Sequence, residues 1–382
     1  MANITKYQTS KGEARWRVRY RKPDGSQTDK RGFTRKIDAE RWAAEHVTIA
    51  KARGTFIDPQ AGRVTVGTLW PEWIAAKKTR CKASYAATLE REWEYRVGPK
   101  WSGRTVASIT HAEVQEWVGA LSSGGCSASV VLRAHGILKG ILRQAIRDRL
   151  IATDPCEGVE LPRKRRKEHR YLTSGELLRL ADESGWRRPI VLILGLTGIR
   201  WGEMAGLTVA DVDRRRRRLW IRRSATEVNG RVVVDTPKSD QWRQVAYPSF
   251  LDSIIEGLTC GRGGGELLFE APGGGYVRRT HGPNTESSWF YWARRRAGIT
   301  GEMTLHDLRH TAASLMVHAG ANVKAVQRQL GHASAAMTLD VYADLFDDDL
   351  DVVGAAMDAM LSEDVGKKWA TPTEDVVDAR QE

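Results

Sequence analysis

Long apolar runs are missing from this 382-residue sequence, and none approaches the roughly 18 residues that suggest a membrane span. The N-terminal stretch Met-Ala-Asn-Ile-Thr-Lys lacks the apolar core of a secretory signal. Cysteine is scarce. Cys81, Cys126, Cys156 and Cys260 lie far apart without paired spacing, which argues against a disulfide framework or a zinc knuckle and fits a reducing compartment. No internal repeat is evident. Asp347, Asp348, Asp349 and Asp351 lack ligand-like spacing around a turn and read as a solvated acidic tail. The expectation is a soluble cytoplasmic protein that works without a membrane, a metal or another cofactor.

Positive charge is what the chain has. Its formal net charge is +13, and residues 343–382 hold 12 acids and 3 bases, so residues 1–342 carry +22. Such an excess favours a polyanion, because each neutralised phosphate releases condensed counterions. Nucleic acid is the expected partner.

The charge is divided among segments. In residues 1–57, Ala14 to Tyr20 alternates basic and apolar side chains with the period of a half-buried strand. Pro23-Asp24-Gly25-Ser26 is a turn, Gln27–Phe33 the returning strand, and Thr34 caps a helix through Lys51 that carries Ile37, Ala39, Trp42, Ala43 and His46. Arg15, Arg17 and Arg19 then share one face, either a solvated sheet face or a surface for a DNA groove. After a linker containing Pro59 and Gly62, residues 64–155 read as a helical bundle with helices at 68–78, 84–95, 111–121 and 127–150. Pro162 then precedes Arg163, Lys164, Arg165, Arg166 and Lys167, a run that cannot bury itself. It reads as a solvated linker, a targeting tract or a strap along a phosphate backbone. Residues 168–350 are mainly helical with strands near 217–247, the glycine-rich stretch 261–275 reads as a mobile loop, and 351–382 form the acidic tail. The expected class is α+β, mostly helical: a small sheet with one helix, a helical bundle, and a mixed domain with a small sheet.

Several residues in the third segment could carry chemistry. His306 and Arg309 stand three apart on the helix opening at Thr304-Leu305-His306-Asp307-Leu308-Arg309-His310, so they share a face suited to an oxyanion or phosphate. Alone, such a pair is mostly structural. Arg200, after the apolar helix ending at Thr197-Gly198-Ile199, needs a carboxylate such as Glu203 or a bound anion. Gly331 is a helix stop that puts His332 in a turn, and Tyr342 taken singly is a packing tyrosine. Lys238 lies in a turn between two strands, either solvated or reaching towards DNA.

In order, Thr197-Gly198-Ile199-Arg200-Trp201-Gly202-Glu203, Thr236-Pro237-Lys238, His306-Asp307-Leu308-Arg309-His310-Thr311, Leu330-Gly331-His332 and Thr338-Leu339-Asp340-Val341-Tyr342 resemble the signature of the tyrosine recombinase, or phage integrase, family. The resemblance implies that Tyr342 is the nucleophile, forming a 3′-phosphotyrosyl link to DNA. It makes Arg200 and Arg309 the cations on the phosphate, His306 and His332 further hydrogen-bond donors, Lys238 the proton donor to the leaving 5′-oxygen, and Glu203 a support. It also implies that residues 1–57 bind arm-type sites and 64–155 core-type sites, with the catalytic domain at 168–350. Partners by the same analogy are double-stranded attachment sites, three further copies in a tetramer on a Holliday junction, an excision factor and a host DNA-bending protein. Ala343 and Asp344 depart from the many relatives that carry histidine shortly after the tyrosine, without affecting the chemistry. Rival readings are a type IB topoisomerase-like enzyme, an integrase-derived regulator without catalysis, and a basic helical scaffold for RNA.

Overall fold

The computed structural model describes residues 2–21, 25–49, 57–58, 61–164, 170–237, 242–280, 282, 284–334, 336, 339, 354, 357–358 and 360–362. The chain forms two compact units, Met1–Arg166 and Lys167–Glu382. Among the described residues, no helix is long and apolar enough to cross a membrane.

The first unit holds two separate hydrophobic cores. Its smaller core lies under an antiparallel sheet ordered β1 (Asn3–Gln8), β2 (Ala14–Arg21), β3 (Gln27–Phe33), with α1 (Lys36–Ala43) packed on it. Alternation along β2 sends Val18 and Tyr20 inward against Ala39, Ala43 and Val47. The edge strand β1 was not anticipated. Its Ile4 pairs with Val18, but charged and polar neighbours obscure the period. The helix also departs from expectation. Arg35 rather than Thr34 occupies its N-cap, the winding changes to π over Ala44–Ile49, and Ile37 is exposed. Of the three arginines on β2, Arg15 pairs with Glu13, and Arg17 donates to Thr5 and lies 3.7 Å from Asp29. The buried Tyr20 hydroxyl donates to Asp58, fastening the sheet to the segment that leads out of it.

The larger core joins α2 (Val66–Lys78), α3 (Ala83–Glu92), α4 (His111–Ser123) and α5 (Ala128–Arg147). Residues Val131, Ala134, Leu138, Ile141, Leu142 and Ala145 form the inner face of α5, whereas Val130 and Leu132 flank it half-exposed. Arg143, Arg147 and Arg149 stay outside. A capping box at Thr110 and Glu113 starts α4. Glu92 is buried because Arg96 and Arg133 each hold one of its oxygens.

The second unit is built round α7 (Arg188–Thr197), which is apolar on nearly every side. Against it pack α6 (Ser174–Asp182), introduced by a capping box at Thr173 and Glu176, and α11 (Asp307–His318). Between them in sequence come α8 (Trp201–Ala205), β4 (Val212–Asp213), β5 (Arg218–Ile221), the hairpin β6 (Ser224–Val228) and β7 (Arg231–Asp235), and β8 (Arg243–Ala246). The main sheet is ordered β4-β5-β8, with Ile221 opposite Arg243. Helices α9 (Asp252–Thr259), α10 (Trp289–Arg296) and α12 (Val323–Leu330) complete the unit. The glycine-rich stretch is not the expected mobile loop. Leu268 and Phe269 are buried in the core, Leu267 bridges to Thr208, and Arg262 donates to the carbonyls of Leu258, Leu267 and Leu268.

Candidate active site

Three chain turns bring the site together. The first is the end of α7, where Gly198 takes a left-handed φ of 70° that glycine adopts without strain. A Cβ there would also lie 2.5 Å from Leu330 of α12. This tight stop turns the chain so that Arg200 emerges at the start of α8. The second is the start of α11, where Asp307 accepts from both the backbone and the hydroxyl of Thr304 and leaves His306 at the N-cap. The third is the end of α12, where Gly331, at φ 68°, reverses the chain into His332.

Glu203 is the electrostatic centre. It is 1% exposed, accepts from the Arg200 backbone and guanidinium at 2.9 Å each, and takes both nitrogens of Arg243 at 2.9 and 2.7 Å. Burial alone would raise its pKa, but the Arg243 fork and the Arg200 charge outweigh that and hold it at about 2. Arg200 keeps a quarter of its side chain exposed and reaches the Gly331 carbonyl at 3.4 Å. Arg309 is 3% exposed, and one of its nitrogens donates to the Gly198 carbonyl at 2.6 Å. The two sequence-expected arginines therefore bracket the same turn, Gly198 to Arg200.

Both histidines stand in this cationic field. Partial burial, then the charge of Arg309, lowers His306 to about 4; burial with Arg309, Arg200 and Arg243 does the same to His332. His306 is the more accessible to water, so its shift is the more easily screened. Its ring meets that of the buried His310 edge-on at 5.1 Å. At neutral pH both are neutral rings that can donate one N–H. The unfolded chain binds more protons than the folded one between about pH 6.5 and 4, so stability rises with pH across that window. Denaturant melts should show full stability above pH 6.5 and progressive loss towards pH 4. His306→Gln and His332→Gln should each flatten the loss; an unchanged profile in both variants refutes this assignment.

Two residues of the site were not legible in the sequence. Arg243 reads as an ordinary strand residue, and its partner Glu203 is far away along the chain. Only the pairing of β8 with β5 places the guanidinium beside Glu203, against Gly331, where a Cβ would come within 2.7 Å of its Nε. Gln329 carries no signal of its own in the sequence, where it merely precedes Leu330-Gly331-His332. Its amide nitrogen donates to the carbonyls of Thr197 at 3.2 Å and Ala246 at 2.7 Å, while its oxygen accepts from the Ala246 backbone at 3.0 Å. One side chain on α12 thus ties together the end of α7 and strand β8. Gln327 shapes the same turn by donating to the His332 carbonyl.

Of the sequence-expected site residues, Arg200, Glu203, His306, Arg309 and His332 converge in this way. Tyr342 and Lys238 lie outside the described residues, as do Arg165, Arg166 and Lys167; Lys238 falls in sequence between β7 and β8. Arg163 and Lys164 are exposed in the irregular segment at the end of the first unit.

The site has two arginine forks and two neutral imidazoles around one turn, which suits an anion whose charge grows during reaction. Comparison with known proteins agrees with that chemistry. Residues 172–348 match the phage integrase family. A putative prophage phiRv2 integrase of Mycobacterium tuberculosis is 28% identical, covering 85% of this chain and 88% of that protein. The fold is shared with the Tn1549 transposon integrase, solved in complex with a circular intermediate DNA, at a TM-score of 0.63 and 22% identity, over 78% of this chain and 99% of that one. It is shared also with lambda integrase, solved as a tetramer bound to a Holliday junction, at a TM-score of 0.55 and 20% identity, over 89% and 94%. Residues 172–348 are thus a phage integrase domain, and with these relatives the chain is identified as a tyrosine site-specific recombinase.

Arg309 gives the sharpest test of the described geometry. Arg309→Lys keeps a positive charge but loses the planar fork, so strand cleavage should fall roughly 10²–10³-fold. Single-turnover cleavage at saturating DNA is the measurement, and a near-wild-type rate would remove Arg309 from the machinery.

Proposed function

We propose that this recombinase integrates or excises a phage or related mobile element by cutting and rejoining DNA through a 3′-phosphotyrosyl intermediate at Tyr342. The observation that carries the reading is the convergence of Arg200, Arg309, His306 and His332 on one turn. In this mechanism the Tyr342 phenolate attacks the scissile phosphorus, the bond to the 5′-oxygen breaks, and Lys238 supplies the proton that the leaving oxygen needs. Arg200 and Arg309 grip the non-bridging oxygens, and His306 and His332 donate to the charge that builds there. Glu203, itself gripped by Arg243, keeps Arg200 extended towards the phosphate. The phosphoester energy is stored in the link to tyrosine, so rejoining needs no ATP, and the residues assigned here route no step through a metal.

The division of labour proposed for the chain gives residues 1–57 arm-type DNA sites, through Arg15, Arg17 and Arg19, and residues 64–155 core-type sites. Arg163, Lys164, Arg165, Arg166 and Lys167 track the backbone between the two units, residues 168–350 form the catalytic domain, and 351–382 form an acidic tail. Binding two kinds of site on one chain raises the effective concentration of each for the other. Four copies act together on a Holliday junction in the cytoplasm of a bacterial host, with an excision factor and a DNA-bending protein setting direction.

The test is incubation of the purified chain, without Mg²⁺ or ATP, with a nicked suicide duplex from a candidate attachment site. A covalent protein–DNA band on a denaturing gel is expected. Tight binding without a band would replace the enzyme by a regulator, and relaxation of any supercoiled plasmid without paired sites would favour a topoisomerase.

A further inference from the structure

A second cationic cavity opens in the Lys167–Glu382 unit, with a volume of about 460 Å³, and the site described above does not use it. Arg187 stands on its wall, with the guanidinium carbon 4.2 Å from the centre of the Trp186 ring and 5.0 Å from that of Trp289. Among the described residues the Arg187 side chain makes no hydrogen bond and no ion pair, although its backbone N–H donates to the Ser184 carbonyl. Burial alone depresses its pKa, with no carboxylate to offset it. Arg278 on the rim differs, because Glu227 and the Gly230 carbonyl each hold it at 3.3 Å. No aspartate or glutamate is among the described residues lining the cavity, while Thr280 and Ser287 add hydroxyls.

A cation held in this way is prepared for an anion. Two indoles restrict the guanidinium and attract it by its charge, but they satisfy none of its five N–H donors. Fixing the fork beforehand removes the ordering cost that a free surface arginine pays on binding. With two arginines and no acid on the wall, the chemistry that completes the site is a phosphate: three or four acceptor oxygens, negative charge, and a shape that fits the fork in bidentate fashion. The rim also stands within electrostatic reach of the reaction centre. Arg279, between Arg278 and Thr280, is one of the charges felt at His306.

We propose that this cavity is a phosphate site and that, in the recombinase complex, it takes a backbone phosphate of the bound duplex outside the scissile position. The DNA source rests on the function proposed above; the phosphate chemistry does not. The experiment uses the full chain and two variants, Arg187→Gln and Arg187→Lys. Equilibrium binding to an attachment duplex is measured across a salt series, and indole fluorescence is titrated with inorganic phosphate in the absence of DNA. Arg187→Gln should weaken duplex binding roughly tenfold and lower the slope of log K against log salt by about 0.9, the share of one phosphate. Arg187→Lys should keep the slope and recover only part of the affinity, since it restores the charge without the fork. Wild-type slope and affinity in Arg187→Gln, together with no phosphate-dependent fluorescence change in the wild type, overturn the proposal. A phosphate response lost in Arg187→Gln with an unchanged DNA slope assigns the cavity to free phosphate and overturns the DNA source. Thermal melts of both variants confirm that they fold, and the wild-type covalent adduct, read separately, reports whether the recombinase reading itself stands.

Discussion

Tyr342→Phe should form no covalent protein–DNA product: cleavage is expected to fall roughly 10⁴-fold or more, with the duplex bound as tightly as by the wild type. The substitution removes one oxygen and no charge at neutral pH, because a tyrosine with a reference pKa near 10 is overwhelmingly protonated when free. On the proposed reading, affinity comes from the arginines and lysines, which the substitution leaves in place. In the mechanism proposed above the phenol must lose its proton to attack, and two arginine forks with neutral imidazoles would supply a setting in which a phenolate costs less than in water. On the same proposal these cations stabilise the phosphorane-like charge, so in the variant they would remain but have no nucleophile to serve. Gel shift and denaturing gel on one sample read both halves of this expectation. An adduct that persists in Tyr342→Phe would move the nucleophile elsewhere.

Glu203→Gln carries the next largest effect, a loss of about 3–5 kcal/mol in folding stability. The amide nearly matches the carboxylate in shape, yet it leaves Arg200 and Arg243 facing each other without the charge that both grip. It also places an N–H₂ where one of those guanidinium groups donates. Urea denaturation of wild type and variant at pH 7 measures the difference. The linkage provides an internal check. Glu203 titrates near 2 in the folded chain and higher in the unfolded one, so its contribution is present above pH 4.5 and is lost as pH falls towards 2. The variant should lack that acid limb. A loss under 1 kcal/mol would mean that the two arginines find other partners and that Glu203 is not the centre of the network.

Much of this arrangement was legible in the sequence because its parts are local. Gly198 and Gly331 mark helix ends, His306 and Arg309 share one turn of helix, and Arg200 follows an apolar helix that leaves a charge needing a partner. Each of those inferences spans a few residues. Arg243 and Gln329 fall outside that reach. The role of Arg243 depends on register in a sheet whose strands are separated by a hairpin, and a one-residue slip would turn its side chain to the other face. Gln329 matters through three backbone groups, which leave no trace in side-chain identity. For the same reason β1 escaped notice, since an edge strand covered on one face has a weak apolar period, and the glycine-rich stretch misled because its anchors are the carbonyls that Arg262 gathers.

The Gln329 tie has a consequence for the timing of synthesis. A ribosome delivers Arg200 and Arg243 well before α12, so in a growing chain the turn at Thr197 lacks its fastening to β8 until Gln329 arrives. Only when Gln329 and His332 emerge can the three segments lock, and Tyr342 follows them off the ribosome. On the mechanism proposed above, a polypeptide that stops before Tyr342 has the anion-holding turn but no nucleophile, so the order of synthesis places the assembled cradle ahead of the cutting group.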